Sequence, residues 1–188
     1  MDILGHALYG ATLCSRTGLA GGRRGAPAAR ARSDWTLWTA VGFGVFPDLA
    51  SIGFAFAQML VRGQRISFHS LPPSVFVRYD FTHSLIVAGL FVLLLRVLAR
   101  PVVLPALAWP AHILIDSVLH GEGRWKTPLL FPLSDWHPPG INWWQHGNVV
   151  MIYWGILPVL WLAIHLWRRR ARVAPLQAGR LSERSCGE

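Results

Sequence analysis

The sequence WPAHILID, residues 109–116, sets a histidine and an aspartate into an otherwise apolar run. His112 and Asp116 lie four residues apart, so on a helix both side chains project from one face, with Cβ atoms roughly 5–6 Å apart. An imidazole and a carboxylate on one face of an apolar helix provide half of a metal site. Three further ionisable residues stand in comparably apolar or turn-like surroundings: His6, Asp48 and His83. We predict that the chain folds to bring these five side chains together.

The composition is that of an integral membrane protein. Of the 188 residues, 53% are hydrophobic and only 14% are charged, whereas a soluble domain carries about a quarter charged residues. The ten tryptophans suit the aromatic belts that membrane proteins place at the lipid–water interfaces. A chain of this length is enough for one compact bundle of membrane helices, so the composition predicts a single integral-membrane domain.

The net charge of +9 is concentrated beside the apolar runs. Five arginines lie within residues 16–34, ahead of the first long apolar run, and four lie within residues 168–172, after the last one. A soluble protein this basic would suggest a nucleic-acid partner. Basic clusters that flank apolar segments instead follow the positive-inside rule for membrane proteins. We therefore predict that the partner is the lipid bilayer and that the chain binds no nucleic acid.

Four apolar runs have the length of a membrane crossing, which takes about 20 residues. A fifth, residues 3–15, is too short to cross alone, and we expect a re-entrant helix or one packed against its neighbours. The predicted fold is an all-α polytopic membrane bundle of about four spans plus a short N-terminal apolar helix, in one domain over residues 1–170. The predicted spans cover residues 35–61, 82–99, 101–119 and 148–167.

The polar segments are expected to lie outside the bilayer. Residues 16–34, rich in Arg, Gly and Ala, are typical of a flexible cytoplasmic loop. Residues 62–81 are predicted to form an external loop. Residues 120–147 are predicted to form a longer external loop, whose Trp, Pro and Phe content suits a cap at the interface. Residues 171–188 are predicted to form a disordered cytoplasmic tail.

The distribution of lysine and arginine predicts the orientation. Placing residues 16–34, the turn at 96–100 and the C-terminal tail inside gives five, two and six basic residues there, against three and two in the outer loops. The chain is then a multi-pass protein of the inner membrane with a cytoplasmic C-terminus. In this orientation four of the five candidate side chains lie at the outer ends of their segments, and Asp48 lies mid-span.

Asp48 follows a predicted break in the first span. Gly42, Gly44 and Pro47 crowd just before it, and residues of these types break or kink a helix. The Asp48 carboxylate is therefore able to cap the half-helix that follows. Capping and metal ligation are compatible, and the sequence leaves both open.

An ionisable residue inside a membrane costs about 2.5–3.5 kcal/mol and tends to mark function. The other candidates nevertheless also have purely structural interpretations. His112 and Asp116 would form a buried pair that only packs the bundle. His83 would be an interfacial residue beside a hydroxyl that caps the span, and His6 a satisfied core residue. The sequence leaves open whether further residues join the site: His120, Asp135, His137 and His146. Two other histidines are predicted to take no part: His69 and His165.

Five short motifs follow one another along the chain. They are His6, the PD of Phe46-Pro47-Asp48, the THS of Thr82-His83-Ser84, the HxxxD from His112 to Asp116, and the TPLLFPLS of residues 127–134. Together they resemble the membrane-bound metal-dependent hydrolase family, a YdjM-like group also described as LexA-binding and inner-membrane-associated. The likeness covers most of residues 1–136. The chain departs from the family in the turn at residues 117–121, which is not Thr-rich, and in the loop at residues 137–147.

The resemblance implies an inner-membrane protein with a divalent-metal hydrolase centre. The candidate metal ligands that it implies are His6, Asp48, His83, His112 and Asp116. Three histidines and two carboxylates favour zinc, with manganese or iron as alternatives, over magnesium, which prefers oxygen ligands. Five ligands exceed the need of one four-coordinate zinc, so a second metal bridged by Asp48 or Asp116 stays open.

The implied reaction is hydrolysis of an ester or phosphoester by a metal-activated water whose pKa falls to about 7. Asp48 and His83 are the candidate catalytic residues, and a carboxylate that the metal does not saturate is able to take the proton. A site facing the outer leaflet suggests a lipid or lipid-linked substrate. Two non-enzymatic alternatives stay open. In one, His112 and Asp116 act as a proton or ion relay, and in the other the polar residues only lock helix packing.

Overall fold

Every regular element in the described residues is a helix, which confirms the all-α prediction. The computed structural model describes residues 2–21 and 33–185, so most of the predicted cytoplasmic loop and the last three residues lie outside the described part. The α-helices of this part are α1 (Ile3–Cys14), α2 (Trp35–Asp48), α3 (Phe54–Val61), α4 (Pro73–Thr82), α5 (Leu85–Leu98), α6 (Arg100–Ala106), α7 (Ala108–Leu119) and α8 (Gly147–Ser185).

Three helical segments of the described chain are long and apolar enough to cross a membrane: Trp35–Val61, Arg100–Leu119 and Gly147–Arg168. They coincide with the first, third and fourth predicted spans. The second predicted span, residues 82–99, contains the 14 residues of α5, which are fewer than one crossing needs. It reaches that length only together with α4, from which α5 is bent by 52°.

Helix α4 occupies nearly half of the segment that the sequence predicts to be an external loop, residues 62–81. Its start is explained by two prolines, because Pro72 precedes the helix and Pro73 is its first residue. Proline suits the first helical position, where its missing N–H would have had no partner. The buried side chains of this helix, Val75 and Tyr79, then pack against the end of the first span.

The bend between α4 and α5 is closed by a serine and by the loop at residues 120–147. Ser84 Oγ accepts hydrogen bonds from two backbone N–H groups in the first turn of α5, at 3.1 and 3.3 Å, and so caps that helix. The same hydroxyl donates to the Phe131 carbonyl at 2.5 Å. The Leu85 N–H donates to the Leu129 carbonyl at 2.9 Å. The loop therefore satisfies backbone and side-chain polar groups where helical hydrogen bonding stops.

The predicted break in the first span is a π-helical segment, Leu49–Gly53, which joins α2 to α3. A π-turn carries one extra residue, and such turns occur often at functional sites. Asp48 immediately precedes the segment, and its side chain makes no capping hydrogen bond within the described residues. The capping interpretation of Asp48 is therefore wrong, and its carboxylate is left for another role.

Helices α1 and α2 pack closely because glycine lies at their contacts. A Cβ atom at Gly10 would lie 2.8 Å from the Ala40 carbonyl oxygen, and one at Gly44 would lie 2.7 Å from the His6 carbonyl oxygen. Both distances are too short for a side chain, so the absence of a Cβ lets the two backbones touch. The contact at Gly44 fixes the position of His6 relative to α2.

Asp34 joins the end of α1 to the start of α2. Its Oδ1 accepts hydrogen bonds from the N–H and hydroxyl of Thr36 at 3.0 and 2.6 Å. Its Oδ2 accepts from the N–H and hydroxyl of Thr17 at 2.8 and 2.7 Å. Burial raises the pKa of the Asp34 carboxyl, but these hydrogen bonds outweigh burial and hold the pKa below its ordinary value.

We expect Asp34→Ala to lower the free energy of unfolding by about 1–2 kcal/mol, the cost of a lost helix cap. Because folding lowers the pKa of Asp34, its contribution is present above the unfolded-state pKa of about 3.9 and disappears as the pH falls through the folded-state value. Unfolding in detergent from neutral pH to about pH 3 measures this loss. The wild type should lose stability on acidification that the variant lacks. Thr39→Ala is the control, and equal acid dependence of all three proteins would contradict the prediction.

Helix α8 continues to Ser185, past the predicted end of the last span at residue 167. The predicted tail, residues 171–188, begins within this helix, and the disorder and cytoplasmic location of the tail stay predictions. Residues 171–185 contain three Ala, three Arg and two Leu, which are good helix formers, together with Pro175 and Gly179, which are not. Only 11% of the most apolar 18-residue stretch of Gly147–Arg168 is buried. The exposed remainder forms an apolar surface suited to lipid.

Candidate metal centre

Several elements bring ionisable side chains to one buried place. His6 lies on α1, Asp48 ends α2, His83 lies at the α4–α5 bend, and His112 and Asp116 lie on α7. None of these residues is more than 2% exposed. The i, i+4 pair on α7 faces the other three, as its position on one helix face requires.

Four of the residues form what we call the inner cluster: Asp48, His83, His112 and Asp116. One ligand atom from each lies within 4.8 Å of all the others. The Nε2 atoms of His83 and His112 are 3.2 Å apart, and each is 3.3 Å from Asp116 Oδ2. Asp48 Oδ1 lies 3.5 and 3.7 Å from the same two nitrogen atoms. The inner cluster therefore offers the nitrogen and oxygen donors that divalent metals bind.

The backbone contacts of His83 and His112 determine their tautomers. His112 Nδ1 donates to the Gly44 carbonyl at 2.6 Å, and His83 Nδ1 donates to the Tyr79 carbonyl at 3.0 Å. Because a carbonyl oxygen only accepts, both Nδ1 atoms carry the proton and both Nε2 atoms present a lone pair to the inner cluster. Metal-binding histidines are usually held in this way by the other ring nitrogen.

The inner cluster needs positive charge at its centre. Two bare Nε2 atoms at 3.2 Å repel each other unless a cation or an added proton lies between them. Both oxygens of Asp48 and Oδ2 of Asp116 lack a hydrogen-bond partner in the described part of the chain. An unpaired buried charge costs several kcal/mol. A divalent ion would satisfy all of these atoms at once.

We expect Gly44→Ala to lower the metal affinity of the inner cluster about 10–100-fold, as changes in outer-shell partners do. The added methyl group would press on the His6 carbonyl oxygen and shift the Gly44 carbonyl that holds His112. Gly42→Ala is the matched control, because its Cβ would have no described atom within 4 Å. Zinc titration of both variants in detergent is the measurement. Equal affinity of the two variants would contradict the assignment of Gly44.

His6 contacts the inner cluster through Asp116. Its Nε2 lies 2.9 Å from Asp116 Oδ1, and its ring centroid lies 3.8 Å from that of His112. His6 does not belong to the group of four described residues whose ligand atoms lie within 4.8 Å of one another. The geometry therefore makes His6 a partner that orients the Asp116 carboxylate, and direct ligation by His6 stays a prediction.

His120, which the sequence left open, adjoins the inner cluster. Its Nδ1 lies 3.5 Å from Asp116 Oδ2 and 3.5 Å from the Tyr79 hydroxyl. The residue is 1% exposed, and its Nε2 has no hydrogen-bond partner from any described residue. Burial lowers the pKa of His120 to about 4, although the nearby Asp116 charge opposes this, so the ring is neutral at physiological pH.

The remaining open candidates lie apart from the inner cluster. Asp135 and His146 are exposed, and His137 makes a 3.8 Å contact with the carboxylate of Glu122. The two histidines that were predicted to take no part, His69 and His165, are both exposed.

Sequence reasoning missed Tyr79 and Trp109. The Tyr79 ring stacks on the His83 ring at 3.7 Å between centroids, and its hydroxyl donates to the Trp125 carbonyl at 3.2 Å. Trp109 Nε1 donates to the Thr82 carbonyl at 2.7 Å and so fixes the backbone beside His83. The signal for Tyr79 was its position four residues before His83, one helical turn earlier near the end of α4.

Comparison with protein-family models, with characterised proteins and with solved structures finds no match. The family resemblance therefore stays a prediction from the motifs. Those motifs do meet in space. The PD, THS and HxxxD motifs supply the four members of the inner cluster, and the TPLLFPLS stretch supplies the carbonyls that close the α4–α5 bend.

Proposed function

We propose that this chain is a metal-dependent hydrolase of the inner membrane that uses a divalent ion in the inner cluster to cleave an ester or phosphoester. One observation carries the proposal. Two histidine nitrogens and one oxygen from each of two carboxylates, all in buried residues, lie within 4.8 Å of one another. Every ion-pair contact that the described residues make to these carboxylates comes from a histidine.

A purely structural role explains this arrangement less well. Packing networks pair donors with acceptors, because an unsatisfied buried polar group costs about 1–3 kcal/mol. In the inner cluster acceptors face acceptors, since both Nε2 atoms point lone pairs at carboxylate oxygens. Such an arrangement suits a bound cation better than it suits a hydrogen-bonded core.

The donor set favours zinc, manganese or iron over magnesium. Such an ion supplies Lewis-acid chemistry and makes water a nucleophile near neutral pH. Four protein ligands would close a tetrahedral zinc site, whereas a catalytic site keeps a position open. We therefore assign His83, His112 and Asp116 to hold the ion. Asp48, whose contacts to the two nitrogens are the longest at 3.5 and 3.7 Å, is then free to act as base.

The chain's own residues prepare the site for this reaction. Asp48 takes the proton of the attacking water, since neither of its oxygens is hydrogen-bonded by a described residue. His6 orients Asp116, and Tyr79 holds His83 by a backbone hydrogen bond and by ring stacking. Burial excludes bulk water, so charges in the site interact more strongly than they would in solution.

A proton relay is the second candidate function, and a different contact favours it. Asp116 lies 2.9 Å from His6 and 3.5 Å from His120, so the three residues form a continuous buried series of titratable groups. Intramembrane series of this kind occur in proton pathways. A relay needs no stoichiometric metal, and metal content therefore separates the two functions.

The test is elemental analysis of the purified full-length protein beside the His112→Ala/Asp116→Ala double variant. We expect about one or two zinc, manganese or iron ions per wild-type chain and none in the double variant. Circular dichroism should show equal helix content in both. His69→Ala/His165→Ala is the matched control and should keep its metal. No bound metal in any of these proteins, even after soaking, would refute the hydrolase and leave the relay or packing role.

Activity is the second half of this test. The metal-loaded wild type should hydrolyse a chromogenic ester or phosphoester, and a chelator should stop it. The double variant should leave the same substrate intact.

A further inference from the structure

A cavity of about 470 Å³ adjoins the inner cluster and has no role in the chemistry described so far. This volume lies within the range of about 300–1,000 Å³ that is typical of ligand pockets. We call the cavity the aromatic chamber, after its lining of Phe68, His120, Trp125, Trp143 and Trp144. Four of the five lining residues are phenylalanine or tryptophan, so the chamber suits an apolar group.

His120 connects the aromatic chamber to the inner cluster. One ring nitrogen, Nδ1, faces Asp116 Oδ2 at 3.5 Å. The ring also lines the chamber and lies 5.8 Å from the Trp144 ring between centroids. Its second nitrogen, Nε2, is buried and has no hydrogen-bond partner among residues 2–21 and 33–185. The chamber therefore has one polar group, at the end nearest the metal centre, that lacks a partner.

Two cations and one carboxylate line a recess next to the chamber. Trp125 lies in the chamber wall, and its two sequence neighbours, Arg124 and Lys126, line an adjacent recess of about 390 Å³. The chamber and the recess share a wall. The Trp125 ring lines the chamber, and its centroid lies 5.3 Å from that of Phe76, which lines the recess. One carboxylate, Asp80, also lines the recess, so the two cations outnumber it.

We infer that the aromatic chamber binds the apolar chain of an alkyl phosphoester, with the phosphate at the His120 end and with Arg124 and Lys126 contributing positive charge from the adjacent recess. The inference rests on the proposed function, because it names the substrate class of that site. A quaternary ammonium group would also suit aromatic walls. The chamber lacks a carboxylate among its described lining residues, and its neighbouring cations favour an anion instead.

The test is photolabelling of the full-length protein in phosphatidylcholine nanodiscs with a dodecylphosphonate that carries a diazirine at the end of its chain. The phosphonate is not hydrolysed, so labelling does not depend on activity. We expect mass spectrometry to locate the label on Phe68, Trp125, Trp143 or Trp144, and we expect unlabelled dodecyl phosphate to compete. A diazirine-bearing dodecanol is the neutral comparison and should label the chamber more weakly.

Two variants with one matched control test the lining and the charge. Trp144→Ala removes an exposed wall and should lower labelling about fivefold or more, the loss expected for a truncated aromatic anchor. Trp136→Ala removes another exposed tryptophan of the same loop that does not line the chamber, and it should leave labelling unchanged. Arg124→Ala/Lys126→Ala should reduce phosphonate labelling to the level of the alcohol.

The outcomes separate this inference from the proposed function. Label in the chamber of a protein that holds no metal and hydrolyses nothing would support the binding site and refute the hydrolase. Metal binding and hydrolysis with label only on lipid-facing helices would refute the chamber and leave the hydrolase intact. Equal labelling by phosphonate and alcohol would refute the anionic part of the inference.

Discussion

Asp48→Asn should make the metal-free protein more stable while it abolishes metal-dependent hydrolysis. In the absence of an ion, both oxygens of Asp48 are buried without a hydrogen-bond partner from the described residues. Asparagine has nearly the same shape and no charge, so it removes the cost of a buried, unpaired carboxylate. We expect the free energy of unfolding of the metal-free protein to rise by about 1–3 kcal/mol.

Thermal or detergent-induced unfolding measures this effect, with the wild type and the variant compared in chelator and in saturating zinc. In zinc the order should reverse, because the wild type gains stability from binding and the variant gains less. Asp135→Asn, which neutralises an exposed carboxylate, is the control and should change stability by less than about 0.5 kcal/mol. A variant that is less stable than the wild type in chelator would indicate that Asp48 serves packing rather than function.

Asp116→Asn should lose both metal and stability. Asp116 makes the shortest carboxylate contact of the site, 2.9 Å to His6, and its other oxygen lies within 3.5 Å of three more histidines. Removing one partner of such a buried ionic network costs about 3–5 kcal/mol. Zinc affinity should fall by more than the roughly 100-fold that follows loss of an outer-shell partner, because we assign Asp116 to the ion itself.

In the metal-free protein, the two Asp→Asn substitutions should therefore change the free energy of unfolding in opposite directions. This difference is the more informative result. Zinc titration and unfolding in chelator, carried out on both variants, provide the four values needed. If both variants were destabilised equally in chelator, the unequal partners of the two carboxylates would not matter. The assignment of Asp48 as base and Asp116 as ligand would then be incorrect.

The sequence predicted those parts of the site that depend on helical spacing. His112 and Asp116 needed only the i, i+4 rule to be placed on one face. The positions of Asp48 and His83 followed from their settings at a helix break and at the start of an apolar run. These signals are local, and a single sequence contains them.

Other parts of the site depend on contacts between distant segments, which periodicity does not encode. The Gly44 carbonyl accepts from His112 only because α2 and α7 pack side by side. The sequence left open whether His120 joins the site, and its role follows from a loop that folds over the end of α7. The π-segment after Asp48 was foreseen as a break, since glycine and proline show where a helix is disturbed but not how.

One prediction of the fold was wrong for a local reason. Residues 62–81 were assigned to a loop because prolines and arginines dominate their composition, yet Pro73 begins a helix. The overall polarity of the segment was given more weight than the helix start signal within it.

The loop that closes the α4–α5 bend has a consequence for protein engineering. Because the carbonyls of Leu129 and Phe131 satisfy polar groups of Leu85 and Ser84, the loop is not an interchangeable module that can be grafted or shortened at will. A chimera that exchanges residues 120–147 would have to retain these two acceptors at the same depth. Libraries that diversify substrate recognition should instead vary the chamber side chains and keep residues 127–131 as an invariant frame.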